Sequence, residues 1–311
     1  MFSNNATAHD VKTFNKGMIV TGIWHKQAYR VIRQIGKGAI GTVYLVEQLS
    51  TSQLYAMKVS ASLQAIAAEY TRLVDIHKEV RSQHFGPLLH ELDDIDAGHI
   101  RLHFYTMEYI DGVTLNNAIS KSSQRQAVQY VTQLLLHLHS LHNRNLIFSD
   151  IKPENILIES NKQLVRVIDF GGVVPIGRMI KQYSVIYDRS SWRMGSRKSD
   201  EQYDIFAVGI LLLQIFVPQN DLIKAQKKTR PMFALYDIIH RKLGNVELKR
   251  ICIKAISGKY QSVNEMQRDI EALLSKKVMN HYILKLDYVF WASFTFMVGS
   301  IVYVMNQTFK W

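Results

Sequence analysis

Between residues 29 and 59 the apolar residues fall into three short runs separated by two turns, the pattern of an antiparallel sheet. Tyr29, Val31 and Ile35 make the first run, Val43, Tyr44 and Leu45 the second, and Leu54, Ala56 and Val59 the third. The second turn is an ordinary polar one. The first is Gly36-Lys37-Gly38-Ala39-Ile40-Gly41, followed by Thr42 and Val43. A G-x-G-x-x-G run also serves plain turns and dinucleotide folds, where it leads from a strand into a helix. Here it joins strand to strand, and its glycines let backbone amides close over a bound group without side-chain obstruction.

Next, Leu63, Ile66, Ala67, Tyr70, Leu73 and Val74 repeat at the spacing of one buried helical face. Short β-like runs return over 100–107. Beyond Asp111 and Gly112 the pattern turns helical, most clearly over 127–142, 203–216, 248–255 and 263–274. The expectation is an α+β chain, a small β-rich lobe followed by a larger helical one. Cys252 is the sole cysteine, which excludes an internal disulfide and a cysteine-based zinc site. His137, His139 and His142 are two, three and five residues apart, a spacing that scatters them around a helix, so they are read as structural.

Four separated segments carry chemistry. The glycine loop is the first. The second is Tyr55-Ala56-Met57-Lys58 in the third strand. A lysine that faces inward needs an anionic partner. The helix that follows offers Glu69, with Glu79 as a rival. The third is Phe148-Ser149-Asp150-Ile151-Lys152-Pro153-Glu154-Asn155, and the fourth Asp169-Phe170-Gly171. Phosphoryl transfer needs a carboxylate near the attacking hydroxyl, a cation near the moving phosphoryl group and oxygen ligands for a metal ion. Asp150, Lys152, Asn155 and Asp169 supply that set.

In this order and spacing the segments resemble a Hanks-type protein kinase from about residue 29 to 274. The resemblance implies a two-lobed kinase fold over 29–275, with the N-lobe ending near 108, and ATP as co-substrate with Mg²⁺ or Mn²⁺. It implies that Gly36, Lys37, Gly38 and Gly41 cover the phosphates and that Lys58 pairs with Glu69 and the α/β-phosphates. Asp150 becomes the base with Lys152 beside it, and Asn155 and Asp169 the metal ligands. Met107 resembles the gatekeeper, with the Glu108 carbonyl and Ile110 amide bonding adenine between Val43, Ala56 and Leu157. Asp204 resembles the buried aspartate that braces the catalytic loop. The D-x-K-P-x-N form points to Ser/Thr on protein substrates.

Two departures matter. Phe148-Ser149 stands where the family has His-Arg, so a phosphorylated activation loop lacks its usual arginine partner. The A-P-E element is also absent: Arg189-Ser190-Ser191 occupies its place, and Lys259 replaces the arginine that pairs with its glutamate. A substitute tether is expected within 187–192. A pseudokinase is the alternative reading, although no phosphate- or metal-contacting residue is lost. Ser184, Ser190, Ser191, Ser196 and Ser199 are the candidate modified serines. The stretch 168–209 most resembles the small membrane-anchored kinases of spore-forming Gram-positive bacteria, the YabT type, which implies a link to sporulation.

The end of the chain is of another kind. Residues 288–305 form an 18-residue run without a charge, about 27 Å long as a helix and close to a bilayer core. Tyr288, Trp291 and Tyr303 lie near its ends, where such rings prefer the interface. Lys276, Lys277 and Lys285 precede it and Lys310 follows. The expectation is an N-terminal extension over 1–28 with no signal peptide, a basic linker over 276–287, a membrane span over 288–305 and an external tail over 306–311. The positive-inside tendency leaves the kinase domain cytoplasmic. The net charge of +12 is concentrated late, with 27 Lys+Arg against 16 Asp+Glu after residue 108 (38 − 11 and 26 − 10). Lys224, Lys227, Lys228 and Arg230, with Arg241, Lys242, Lys249, Arg250 and Lys254, therefore form a candidate surface for anionic lipid or DNA. Confinement to a membrane would also favour self-association for trans-phosphorylation.

Overall fold

The computed structural model describes residues 14–275 except 39–40, 80–84, 99 and 182. The expected span over 288–305, its linker and its tail lie outside these residues. Among the described residues no helix is long and apolar enough to cross a membrane.

The first lobe is one antiparallel sheet of β1 (Ile19–Thr21), β2 (Ala28–Lys37), β3 (Thr42–Gln48), β4 (Leu54–Ser60), β5 (Leu89–Asp96) and β6 (Arg101–Glu108), in the order β1-β2-β3-β4-β6-β5. Strand alternation sorts its side chains between two cores. Tyr55, Met57 and Val59 of β4, with Leu102 and Phe104 of β6, turn into a cluster with Tyr29, Val31 and Tyr44. Ala56, Tyr105 and Met107 belong to the other core, shared with helix α1 (Leu63–Glu79) and the helical lobe. Lys58 lies on the Ala56 side of β4 and is therefore held between sheet and helix, 9% exposed. On α1, Ile66, Glu69, Leu73 and Ile76 are all buried, a spacing that puts the carboxylate on the apolar face.

Residues 14–28, read from sequence as an extension, are part of this lobe. Phe14 packs on Tyr44, with ring centroids 5.2 Å apart, and β1 pairs with β2. The turn after β1 then reaches the opposite edge of the sheet. The Ile23 amide donates to the Asp94 carbonyl at 2.9 Å. The buried Asp93 carboxylate accepts the amides of Trp24 at 2.9 Å and His25 at 2.8 Å. Gly22 permits the approach, because a Cβ there would clash with the Asp93 carboxylate. The sheet thus curls until its two edges touch.

The second lobe is built from α2 (Leu115–Lys121), α3 (Gln124–His142), α4 (Glu201–Gln214), α5 (Gln219–Gln226), α6 (Pro231–Lys242) and α7 (Val246–Ile256), with residues 263–275 also helical. Every residue from Tyr203 to Leu213 is buried, so α4 is the central post. Gly209 allows α7 against it, since a Cβ would meet that of Ala255 at 2.8 Å. Side-chain caps fix three helix starts: Ser123, Asp200 and Asn245 accept the amides of Gln126, Tyr203 and Leu248. Short strands frame the loops between the lobes. These are β7 (Gly112–Thr114), β8 (Leu146–Ile147), β9 (Ile156–Glu159), β10 (Val165–Val167) and β11 (Val174–Pro175). Because β9 pairs with β10 and β8 with β11, the segments 148–155 and 168–173 are brought side by side.

The edge closure has a measurable signature. Burial pushes the Asp93 carboxyl upward, but the amides of His25, Trp24 and Asp94 outweigh it and hold the group below its ordinary 3.8. A carboxylate depressed in the folded state stabilises above its unfolded value, and that contribution is lost as pH falls through the folded one. Asp93→Asn should therefore cost about 1–3 kcal/mol in unfolding free energy at pH 7. The gap from wild type should shrink below about pH 4, as read by denaturant titration.

Candidate active site

The catalytic loop begins on a buried carboxylate. Asp204 of α4 is fully buried and accepts the Phe148 amide at 2.8 Å and the Ser149 amide at 2.9 Å. His142 Nε2 lies 2.9 Å from the same carboxylate. Burial alone would lower the His142 pKa, yet Asp204 and Glu201 raise it above its ordinary value. The bracing role expected of Asp204 is thus visible in its hydrogen bonds. Ser149 has φ +66°, a left-handed backbone that a non-glycine residue adopts only when its surroundings enforce it. Its hydroxyl donates to the Gly172 carbonyl at 2.5 Å. The Phe148 ring meets Phe170 edge-on at 5.9 Å, and Phe170 in turn meets Phe85 at 5.2 Å. Phe148 and Ser149 together thus fasten the loop to the segment after Asp169, one through ring packing and the other through a hydrogen bond.

Asp150 follows. Lys152 Nζ donates to its Oδ2 at 2.5 Å, and Asn155 Nδ2 donates to the same oxygen at 3.1 Å and to the Asp150 carbonyl at 2.9 Å. Ser184 Oγ lies 3.5 Å from Asp150 Oδ1. This one carboxylate thus lies against three other polar side chains. Asp169 Oδ1 accepts the Gly171 amide at 2.9 Å. Asn155 donates through its amide group, so its side-chain oxygen is the atom suited to a cation. With one carboxylate and one carboxamide oxygen, the donors fit a hard divalent ion that takes its remaining ligands from phosphate and water. No group of three or more acidic, His or Cys side chains placed to hold a metal unaided occurs among the described residues. His137 bonds the Val165 carbonyl and His139 meets Asn143 and Asn264, so the three histidines serve separate structural contacts.

Across the cleft, Lys58 Nζ donates to both Glu69 oxygens at 2.6 Å. Glu69 is thus the partner on α1. Val43 pairs with Lys58 across β3 and β4, and Ala56 with Met107 across β4 and β6. Gly36 pairs with Val43 and Lys37 with Thr42, and the Gly38 amide donates to the Gly41 carbonyl at 2.9 Å. A Cβ on Gly41 would run into the Val59 carbonyl. Ile110 is buried just beyond β6, and the half-buried Leu157 sits on β9 opposite Thr114 and Arg166.

Sequence reasoning passed over Arg166. This arginine is 1% exposed, and its guanidinium meets both Glu108 oxygens at 3.1 and 2.6 Å, the Gly86 carbonyl at 2.9 Å and Glu159 at 3.5 Å. Burial would raise the Glu108 pKa, but Arg166 and the Leu88 amide hold it below its usual range. The signal was present: a charge in the middle of a short apolar strand must have a partner. The Glu108 carbonyl expected to face adenine thus belongs to a residue whose side chain is fastened to the strand leading into Asp169.

The missing A-P-E ion pair is replaced within the segment itself. Arg189 meets Asp200 in a two-fold bond, both contacts at 2.8 Å, and also donates to the carbonyls of Ser196 and Lys198. Asp188 is fully buried and accepts from Arg197, Ser191 and Tyr203. Burial pushes its carboxyl up, but these three donors hold it below its ordinary value. Lys259 is exposed. Of the candidate serines, Ser199 is fully buried and Ser191 is bound to Asp188. The basic surface also contracts. Arg241, Lys242, Arg250 and Lys254 face Asp237, Asp221, Glu247 with Asp269, and Glu265 with Asp269, while Lys224, Lys227, Lys228 and Arg230 are exposed together.

Known proteins agree with this geometry. Residues 29–281 match the protein kinase domain family. The chain belongs to the protein kinase family. It is 33% identical over 271 residues to the serine/threonine-protein kinase YabT of Bacillus subtilis, an alignment covering 86% of this chain and 78% of that one. It is 25% identical to the probable serine/threonine-protein kinase PknB of Lactococcus lactis, over 81% of this chain and 43% of that one. Among solved structures, vaccinia related kinase 3 superposes with a TM-score of 0.63 at 15% identity, covering 86% of this chain and 93% of the other, a likeness of fold. With these relatives the chain is a Ser/Thr protein kinase of two-lobed fold.

The internal tether predicts an asymmetry. Arg189→Met should lower unfolding free energy by about 1–2 kcal/mol, because it strips the half-exposed Asp200 carboxylate of its two-fold partner and leaves the Ser196 and Lys198 carbonyls without their donor. Lys259→Ala should stay within about 0.5 kcal/mol of wild type. Thermal melts of the two variants separate the outcomes.

Proposed function

We propose that the chain transfers the γ-phosphoryl group of ATP to serine or threonine hydroxyls of proteins, with Mg²⁺ or Mn²⁺, at the cytoplasmic face of a membrane. The closed Lys58–Glu69 pair above an intact Asp150–Lys152–Asn155 cluster carries this reading. It also argues against a pseudokinase, since every position that touches phosphate, metal or proton is present and connected.

Each side chain has a definite task. Asp150 accepts the proton of the attacking hydroxyl as its oxygen bonds to phosphorus and the bond to the β-phosphate oxygen breaks. Lys152 places a positive charge beside the transferred group. Lys58, oriented by Glu69, holds the α/β-phosphates, and the glycine loop covers them with backbone amides. Asn155 and Asp169 hold the divalent ion, which when bound neutralises phosphate charge. Glu108 and Ile110 offer a backbone carbonyl and amide to adenine.

The membrane placement rests on the uncharged run 288–305 and its preceding lysines. The link to sporulation rests on the resemblance to the YabT type, and a role for the exposed Lys224–Lys227–Lys228–Arg230 cluster in meeting anionic lipid or DNA rests on its charge.

With labelled ATP and a generic protein acceptor, the full chain should label Ser/Thr in an Mg²⁺-dependent manner. Asp150→Asn should reduce the rate by about 10²–10⁴-fold without loss of fold. Equal activity in the two proteins would refute the assignment of the base. For the membrane, the full chain should resist alkaline extraction from vesicles, and Met297→Arg with Ile301→Arg should release it. Release of the unaltered chain would remove the span.

A further inference from the structure

The segment after Asp169 is held at two successive carbonyls by side chains from different parts of the molecule. Ser149 donates to Gly172, as described above. Arg72 of α1 donates through a guanidinium nitrogen to the Gly171 carbonyl at 2.5 Å. Arg72 is half-buried and lies three residues after Glu69, one turn along the same helix and next to the buried Leu73. The helix that supplies the carboxylate for Lys58 therefore also grips the segment that carries Asp169.

We propose that Arg72 is a positioning residue that locks α1 and Asp169 together in the unphosphorylated chain. A charged donor makes roughly twice as strong a hydrogen bond as a neutral one, and the planar guanidinium holds its direction. Any swing of α1 away from the sheet would break Lys58–Glu69 and Arg72–Gly171 at once, so the two contacts stabilise one arrangement jointly. The backbone around the acceptor has little room to shift. Phe170 is fully buried, with a ring already close to Gly86, and a Cβ on Gly172 would meet Asp150 Cβ at 2.9 Å. With serine at position 149, the catalytic loop presents no arginine there to receive a phosphorylated loop, and Arg72 supplies the restraint from inside. The substrate class is unaffected; the inference concerns what keeps the site assembled, and it rests on the kinase reading above.

The test compares the full wild-type chain, treated with phosphatase, with Arg72→Met and, as a second variant, Arg72→Gln. Two quantities are read: kcat with KM for ATP, and amide hydrogen exchange over residues 169–172. Treated wild type should keep its kcat. Both variants should lose about tenfold or more in kcat while KM for ATP changes by less than about threefold, and exchange over 169–172 should accelerate. Unchanged kcat in the variants overturns the proposal. So does a fall in kcat with unaltered exchange at those amides, and so does loss of wild-type activity on dephosphorylation. If wild type shows no transfer that Asp150→Asn abolishes, the kinase reading itself has failed. The exchange data still report on the Arg72 contact in that case.

Discussion

The Asp204 carboxylate is the point where the helical lobe takes hold of the chemistry. It is fully buried on a helix that is itself buried from Tyr203 to Leu213, and a charge in such a place must be matched by donors. The amides of Phe148 and Ser149 match it, together with His142. Those contacts hold Ser149 in its left-handed conformation, and that conformation turns Asp150 towards Lys152, Asn155 and Ser184. The strain of the loop is thus balanced by the packing of α4 against α3 and α7, well away from the cleft.

Around this fixed point the site is assembled by short ties between elements distant in the chain. Arg166 joins the end of β6 to β10, and Lys58 joins β4 to α1. The segment after Asp169 is tied through Ser149 to the catalytic loop. None of these is an exposed ion pair of the kind that adds little. Each is at least partly buried and forms hydrogen bonds with definite geometry, so losing one partner leaves the other stranded. The tether of the activation segment follows the same logic. Arg189 with Asp200 and Asp188 with Arg197 hold it over a span of 13 residues, 188–200, which explains how the chain dispenses with a partner at position 259.

Where a side chain's role follows from local spacing, the sequence disclosed it. The strands β2 to β4, the helix α1, and the placing of Lys58, Glu69, Asp150, Asn155 and Asp169 all follow from alternation, helical period and short motifs. Strand β5 was not legible. Its inward face carries Glu91 and Asp93 with Ile95, so the expected alternation of apolar and polar residues is inverted. The inclusion of residues 14–28 in the lobe was hidden for the same reason, because its anchor is that buried Asp93. Helix α6 was missed because its apolar residues Ala234, Leu235 and Ile239 are interspersed with charge and aromatic surface. Arg166 was passed over and Arg189 was seen only as part of the segment expected to hold a substitute tether, because their partners lie up to 80 residues away or across a turn and only folding pairs them.

The curl of the N-terminal sheet bears on how these chains behave in company. A sheet edge with unpaired amides and carbonyls is a template for another chain's strand. Here one edge, β1, is only three residues long, and the other is met at Asp93 and Asp94 by the turn after β1. Little is left for a neighbour to zip onto. Molecules crowded onto a single plane, as the proposed anchor would arrange, would therefore meet without a long open edge of this sheet along which the strands of two copies join.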